Sequence, residues 1–474
     1  MVVPNEEPKK PTKPNQSRER SLPVPVPVSA AALNVINPDA AGIDVHSDMH
    51  MVCVPADRDA NAVRQFGANT ADLQELVAWL KKCRIKTVAL ESTGVYWIPL
   101  FELLESEGFE VNLVEPGQLS RCGARPKTDV LDAQWIQRLH SYGLLRASFR
   151  PPDSVLALRA YWRQRQMLIR YAGQHVQHMQ KALEQMNVKL TEVVSDVCGV
   201  TGMAIIRAIL NGERSPLQLA KLRNDKCKRT QAEIARALYG NWRTEHLFAL
   251  RQAVTLYDFY REQLRVCDDQ MQNYLGTFAD QSQGRPRPRR HGRARRERRR
   301  NDPAFDVAGA LFRMSGVDLT VLEGIDPNTA LVLMSEIGPD VSRFPTVKRF
   351  CSWLGLTPQH QMSAGKIRSR RVQRGASRAG RALRLAAQSC HHAQNVMGAF
   401  YRRIQARTGA PKAIVATAHK LAERVYRLLK HGAEYVCQDI EAYEAAYRQR
   451  MVKGLARKAA MLGYRLEPTA AGGT

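Results

Sequence analysis

AAGIDVHSDMHMVCVPA, residues 40–56, contains two short apolar runs separated by His46, Ser47 and Asp48, the pattern of two adjacent strands joined through a tight polar turn. Downstream, AVRQFGAN (62–69) reads as a third strand, and ADLQELVAWLKKC (71–83) spaces its apolar residues as an amphipathic helix. KTVALES (86–92) reads as a buried strand, VYWIPLFELLESEG (95–108) as a helix ended by Gly108, and FEVNLVEP (109–116) as another strand. KTDVLDAQWIQRL (127–139) is an apparent helix whose first turn is acidic. Three strands followed by helix, strand, helix, strand and helix predict an α/β domain over residues 38–150, built on one sheet with a hairpin edge.

That element order is the order of the ribonuclease H-like fold. The rest of the chain differs in character. Residues 1–37 carry Pro at 4, 8, 11, 14, 23, 25 and 27 and predict an extended, disordered arm whose Lys9, Lys10 and Lys13 can brush nucleic acid. From 151 to 283 the strand signal is lost, and Trp162, Ile169, Ala172, Val176, Met179, Leu183, Met186, Leu190 and Val193 keep mostly three-four spacing, as do Leu247, Leu250, Val254 and Tyr257. Such stripes form either an antiparallel hairpin within one chain or a coiled coil between two, and the reading favours an arm used in self-association.

Residues 285–300 hold ten Arg and one Glu, with Pro and Gly among them. Like charges at that density predict a flexible linker over 284–301, either a phosphate clamp through residues such as Arg285, Arg287, Arg289 and Arg290 or a solvated tether. Residues 302–465 read as a mainly helical domain with a second basic cluster, KIRSRRVQRGASRAGRALR (366–384), and 466–474 as a flexible tail.

Composition narrows the function. Across 474 residues, 71 Lys+Arg stand against 45 Asp+Glu, a net charge of +26 that points to a polyanionic partner such as nucleic acid. No run approaches the roughly 18–20 consecutive apolar residues of a membrane span, and MVVPNEEPKKPTKPNQSRER lacks a signal core, so a cytoplasmic or nucleoid setting is expected. The nine cysteines, at 53, 83, 122, 198, 227, 267, 351, 390 and 437, form no C-x-x-C pair, which excludes a zinc ribbon and predicts reduced thiols.

Inside this basic chain lies an acidic set. The apolar neighbours of Asp44 place it on a central strand, where a carboxylate is costly without a cationic partner such as a divalent metal. Glu91 ends the strand KTVALE and emerges at the carboxyl edge of a neighbouring strand. Asp129 and Asp132, three apart at a helix start, share one face about 5–6 Å apart. Four such acids can hold two Mg²⁺ ions at the ~3.5–4 Å separation used for phosphodiester chemistry, although Asp129 taken alone reads more readily as an ordinary helix cap.

GIDVH (42–46), ESTGVYW (91–97) and KTDVLDA (127–133), in that order, resemble the N-terminal motifs of the DEDD-type transposases of the IS one-ten insertion-sequence family, whose catalytic domain is RuvC-like. LEGIDPNTALVLMSEIG (322–338), RFPTVKRFCSWLGLTPQHQMSAGK (343–366) and RGASRAGRALRLAA (374–387) follow the order of that family's C-terminal transposase domain. The resemblance implies that Asp44, Glu91, Asp129 and Asp132 are metal ligands for Mg²⁺, with two ions expected, and that Ser363 is a nucleophile. Lys366, Arg368, Arg370, Arg371 and Arg374 are then placed to stabilise phosphate charge. It also implies DNA partners (element ends and target), a structured guide RNA, and a homo-oligomer, dimer or tetramer, in which the serine of one subunit completes the acidic set of another. Two departures stand out. Asp326-Pro327 replaces the second Gly of the family's hairpin turn and removes one N–H donor, and the Pro-rich arm and Arg-rich linker are additional.

Two other functions compete with the recombinase. A RuvC-like nuclease resolving branched DNA by metal-dependent hydrolysis would need the acids but not Ser363. A non-catalytic binding scaffold would need neither.

Overall fold

The computed structural model describes residues 34–119, 128–288, 298–359, 361–364, 366–369, 371–372, 377–432 and 440–465. It divides into two compact units, residues 1–150 and 151–474. Residues 1–33 of the Pro-rich arm expected over 1–37, and Arg289, Arg290, Arg370 and Arg374, lie outside the described residues, while the Ile36 and Asn37 N–H groups donate to the Ser141 carbonyl.

The first unit is the expected α/β domain. Its elements are β1 (Ala40–Val45), β2 (Met49–Cys53), β3 (Val63–Gly67), α1 (Thr70–Lys82), β4 (Thr87–Glu91), α2 (Trp97–Ser106), β5 (Glu110–Val114), α3 (Pro116–Leu119) and α4 (Asp129–Ser141). The strands lie in the order β3-β2-β1-β4-β5. Pairing is antiparallel from β3 to β1 and parallel from β1 to β5. All six residues of β1 are buried, as its unbroken apolar run and central place require, whereas edge strand β3 is only half-buried.

The two sheet faces have separate cores. Ile43, Val45, Val52, Val88 and Leu90 pack against Leu76 and Leu80 of α1 and Leu100 and Leu104 of α2. On the opposite face Ala89 and Val114 meet Ile136 and Leu139 of α4, and Met51 and Cys53 meet Ala133. Gly42 sets how closely α4 approaches. A Cβ there would fall 2.2 Å from the Gln137 nitrogen and 2.6 Å from the Ala133 oxygen, so the helix backbone rests directly on β1.

The second unit is almost wholly helical: α5 (Asp153–Gln185), α6 (Leu190–Val193), α7 (Val200–Leu210), α8 (Pro216–Lys221), α9 (Gln231–Ala237), α10 (Thr244–Gly276), α11 (Val307–Ser315), α12 (Pro327–Ile337) and α13 (Val347–Trp353) come first. A short hairpin, β6 (Gln361–Ser363) and β7 (Lys366–Ser369), precedes α14 (Arg378–Ser389), α15 (Val396–Thr408), α16 (Ala410–His431) and α17 (Ile440–Met461). Among the described residues no helix is long and apolar enough to cross a membrane. The described cysteines carry free thiols, all buried except the half-buried Cys227.

α5 and α10 run antiparallel. The Tyr274 hydroxyl donates to the Ser154 carbonyl, Arg165 pairs with Asp268, and the rings of Tyr171 and Tyr260 lie 5.6 Å apart. The two halves of the apolar stripe therefore face each other within one chain: Met179, Leu183 and Met186 share a core with Leu250, Val254 and Tyr257. This differs from the expected arm between chains, because the partner stripe lies some seventy residues further along the same sequence. α7, α8 and α9 close the same core through Ile205, Ile209, Leu219 and Ile234. At the other end Glu336 of α12 accepts from both Arg159 and Arg163 of α5, which joins the helical pair to the C-terminal helices as one unit.

Candidate active site

The acidic set is assembled by the sheet and by α4. Asp44 lies on β1 with only 6% of its surface exposed. It points away from the Ile43–Val45 core, toward the α4 face that Gly42 opens, because strand side chains alternate. Ile43 pairs with Leu90 in the parallel register, so Glu91 lies beside Asp44 at the carboxyl end of β4, level also with Val114 of β5. α4 crosses this face, and its first turn carries Asp129 and Asp132.

Asp129 is not the cap of α4. The Thr128 hydroxyl accepts from the Leu131 N–H, and so leaves the Asp129 carboxylate available to face the sheet. His46, just past the end of β1, gathers the group: its Nε2 lies 3.1 Å from Asp44 Oδ2 and 3.6 Å from Asp129 Oδ1. One donor atom each from Asp44, His46 and Asp129 fall within 4.8 Å of one another.

Burial pushes the Asp44 carboxyl above its ordinary range; the His46 imidazole opposes that shift, while the negative charges of Asp132 and Asp129 add to it. A buried carboxylate crowded by other carboxylates is what a bound cation relieves, so the donor set fits a divalent metal. Glu91 and Asp132 belong to the same neighbourhood by register and by charge. His46 was missed by sequence reasoning, and the signal for it is the two-residue spacing Asp44-Val45-His46, which returns to the same strand face.

Ser363 belongs to the second unit. It ends β6, is half-buried, and pairs with Lys366 across the hairpin, with Ala364 in the left-handed region (φ 47°) at the turn. Lys366 and Arg368 on β7, and Arg371 beyond it, are exposed. The base of the hairpin is fixed by the Gln359 N–H donating to the Arg371 carbonyl and by a bridge between Pro358 and Val372. Arg384 of α14 donates to the Gly355 carbonyl just before it.

Two family models match the chain. The one described as a transposase of the DEDD IS110 type covers residues 41–188, and the one described as transposase, IS116/IS110/IS902 family, covers residues 318–402. The chain belongs to the IS110 family of transposases. No curated protein matches alongside these models. The first match takes in β1 through α4 and hence all four acids; the second takes in α12, α13, the Ser363 hairpin and α14. As an IS110-family transposase the protein acts on DNA.

Two further features of this transposase bear on the basic linker and on the turn before α12. Arg287, read as part of a free clamp, donates to Asp318 and Asp306, and Arg300 pairs with Asp196, so both described ends of the Arg-rich segment are tied to the helical unit. Arg285 donates from Nε to the Ser282 carbonyl. In the turn before α12, the Asp326 side chain accepts from the Thr329 N–H and hydroxyl. Together with Pro327, this uses up donors that a phosphate would otherwise find.

Proposed function

We propose that this transposase is a recombinase that cleaves and rejoins DNA strands through an acidic metal centre, made by Asp44, Glu91, Asp129 and Asp132, acting with Ser363 as nucleophile. The observation that carries the reading is the buried Asp44 on the central strand, with donor atoms of Asp129 and His46 within 4.8 Å of its own. When bound, Mg²⁺ would supply Lewis-acid polarisation of a phosphate oxygen, in a pair of ions where all four acids take part.

The chain's own groups account for the rest. The Ser363 hydroxyl exchanges its O–H bond for an ester bond to phosphorus as a deoxyribose hydroxyl departs; rejoining reverses the exchange with the hydroxyl of a different strand. Lys366, Arg368 and Arg371 surround the hairpin with positive charge suited to the phosphate. The reading includes a guide RNA that chooses the DNA sites and an assembly in which Ser363 of one subunit meets the acids of another. Support for the RNA lies in the net charge of +26.

The test is Asp44→Asn and Asp132→Asn. Each should abolish Mg²⁺-dependent strand cleavage while DNA and RNA binding persist, since the basic surface lies elsewhere. Normal cleavage by both variants would remove the metal assignment. Sequencing of RNA that co-purifies with the protein, expressed with its flanking region transcribed, tests the guide: a discrete noncoding species supports it, and non-selective RNA opposes it.

A further inference from the structure

We propose that His46 is a nitrogen ligand in the metal position bounded by Asp44 and Asp129, and that it makes this position prefer a first-row transition ion, Mn²⁺, over Mg²⁺. The inference rests on the metal centre of the preceding section and deepens it. His46 Nε2 faces two carboxylates at once, at 3.1 Å from Asp44 and 3.6 Å from Asp129. A neutral imidazole has at most one N–H on that nitrogen and can satisfy only one of them by donation. A cation between the three donors satisfies all of them, with the Nε2 lone pair directed inward and the proton on Nδ1.

The fold holds the imidazole at that spot. The His46 N–H donates to the Met49 carbonyl across the turn between β1 and β2, which fixes the residue one step beyond the buried strand end. Its side chain is about one-third exposed, at 35%, so no demand of the apolar core explains a ring there. Asp44 is fixed by its strand and Asp129 by the first turn of α4, so the three donors come from two rigid elements and one tight turn.

The choice of ion follows from the donors. Mg²⁺ prefers an all-oxygen octahedron and keeps much of its water, whereas Mn²⁺ and its transition-metal neighbours accept imidazole nitrogen together with carboxylates. Replacing His46 should therefore cost more affinity for Mn²⁺ than for Mg²⁺.

The experiment uses the full-length protein without nucleic acid. Mn²⁺ binding is followed by electron paramagnetic resonance, with Mg²⁺ competition and with pulsed detection of ¹⁴N coupled to the bound Mn²⁺. Wild type should show ¹⁴N coupling. His46→Ala and His46→Asn should lose it, and their preference for Mn²⁺ over Mg²⁺ should fall by about tenfold or more, with unchanged thermal melting as the control for folding. Bound Mn²⁺ that depends on Asp44 but shows no ¹⁴N coupling in wild type, or an unchanged preference in both folded variants, would overturn the role of His46 and leave the acidic centre standing. Mn²⁺ binding that is the same in wild type and Asp44→Asn would overturn the centre itself, and the inference with it.

Discussion

Asp44 and His140 show how differently burial acts on two ionisable residues, one on β1 and one on the helix packed against it. The burial of Asp44 was legible because it stands inside the apolar run AAGIDV, whose neighbours exclude the surface. His140 left no such mark, since its place in α4 looks like any polar position. It is 2% exposed, and its Nε2 lies 2.8 Å from the Thr87 hydroxyl, which itself donates to the Glu110 carbonyl. Desolvation holds the His140 imidazole well below its usual range, at about 4. A folded-state value below the unfolded one means that the unfolded chain takes up a proton first. This residue's contribution is therefore fully present above the unfolded value of about 6.5 and is lost as pH falls toward 4, by roughly 3 kcal/mol at most. Urea midpoints of wild type should fall over that interval, and those of His140→Leu should be flatter across it. Equal slopes for the two would show that the imidazole does not titrate in the folded unit. His46 was harder to read: its two-residue spacing from Asp44 returns it to the same strand face, but its nearness to Asp129, more than eighty residues later, is visible only in the fold.

Whole elements were easier to foresee than their partners. The order of strands and helices over residues 38–150 followed from where the apolar period changes and where turns fall, and the first unit has that chain order. What the sequence could not specify was how close α4 comes to the sheet, which is set by Gly42. Gly42→Ala should push α4 outward, cost about 1–3 kcal/mol or more in denaturant stability, and reduce strand cleavage beyond the stability loss, because Asp129 and Asp132 ride on that helix. A stable, fully active Gly42→Ala protein would mean that the acids do not depend on this contact. For α5 and α10, periodicity identified the buried residues but not what buries them, since a seam in one chain and a seam between chains have the same spacing. The pair within the chain is reinforced by Arg165 and Asp268, 2% and 4% exposed, with further bonds from Arg165 to the Asn301 carbonyl and from the Ala304 N–H to Asp268. Arg165→Ala should destabilise by about 3–5 kcal/mol in urea unfolding, whereas replacing both residues by apolar ones of similar size should cost much less. A similar loss in the double variant would show that packing, not the unpaired carboxylate, sets the cost.

At the scale of the molecule, composition was the weaker guide. Ten arginines among residues 285–300 suggested a flexible linker, a phosphate clamp or a solvated tether, yet Arg287 and Arg300 reach carboxylates at Asp318, Asp306 and Asp196, which no local reading of the segment connects to it. Motif order was the stronger guide, because the two family matches fall on the two stretches that carry the acids and Ser363. Asp44 and Ser363 belong to different compact units, separated by more than three hundred residues of chain. A recombinase that needs both must bring one unit's hairpin to another unit's acids, and the proposed assembly does so between subunits. Asp44→Asn and Ser363→Ala proteins should each be inactive, while a co-expressed pair should contain assemblies in which an intact serine faces an intact acidic centre. The most direct measurement is in vitro recombination with element ends, target DNA, Mg²⁺ and any co-purifying RNA, run on each variant and on the pair. The account predicts no product from either variant alone and partial recovery from the pair; full recombination by Ser363→Ala alone would contradict it.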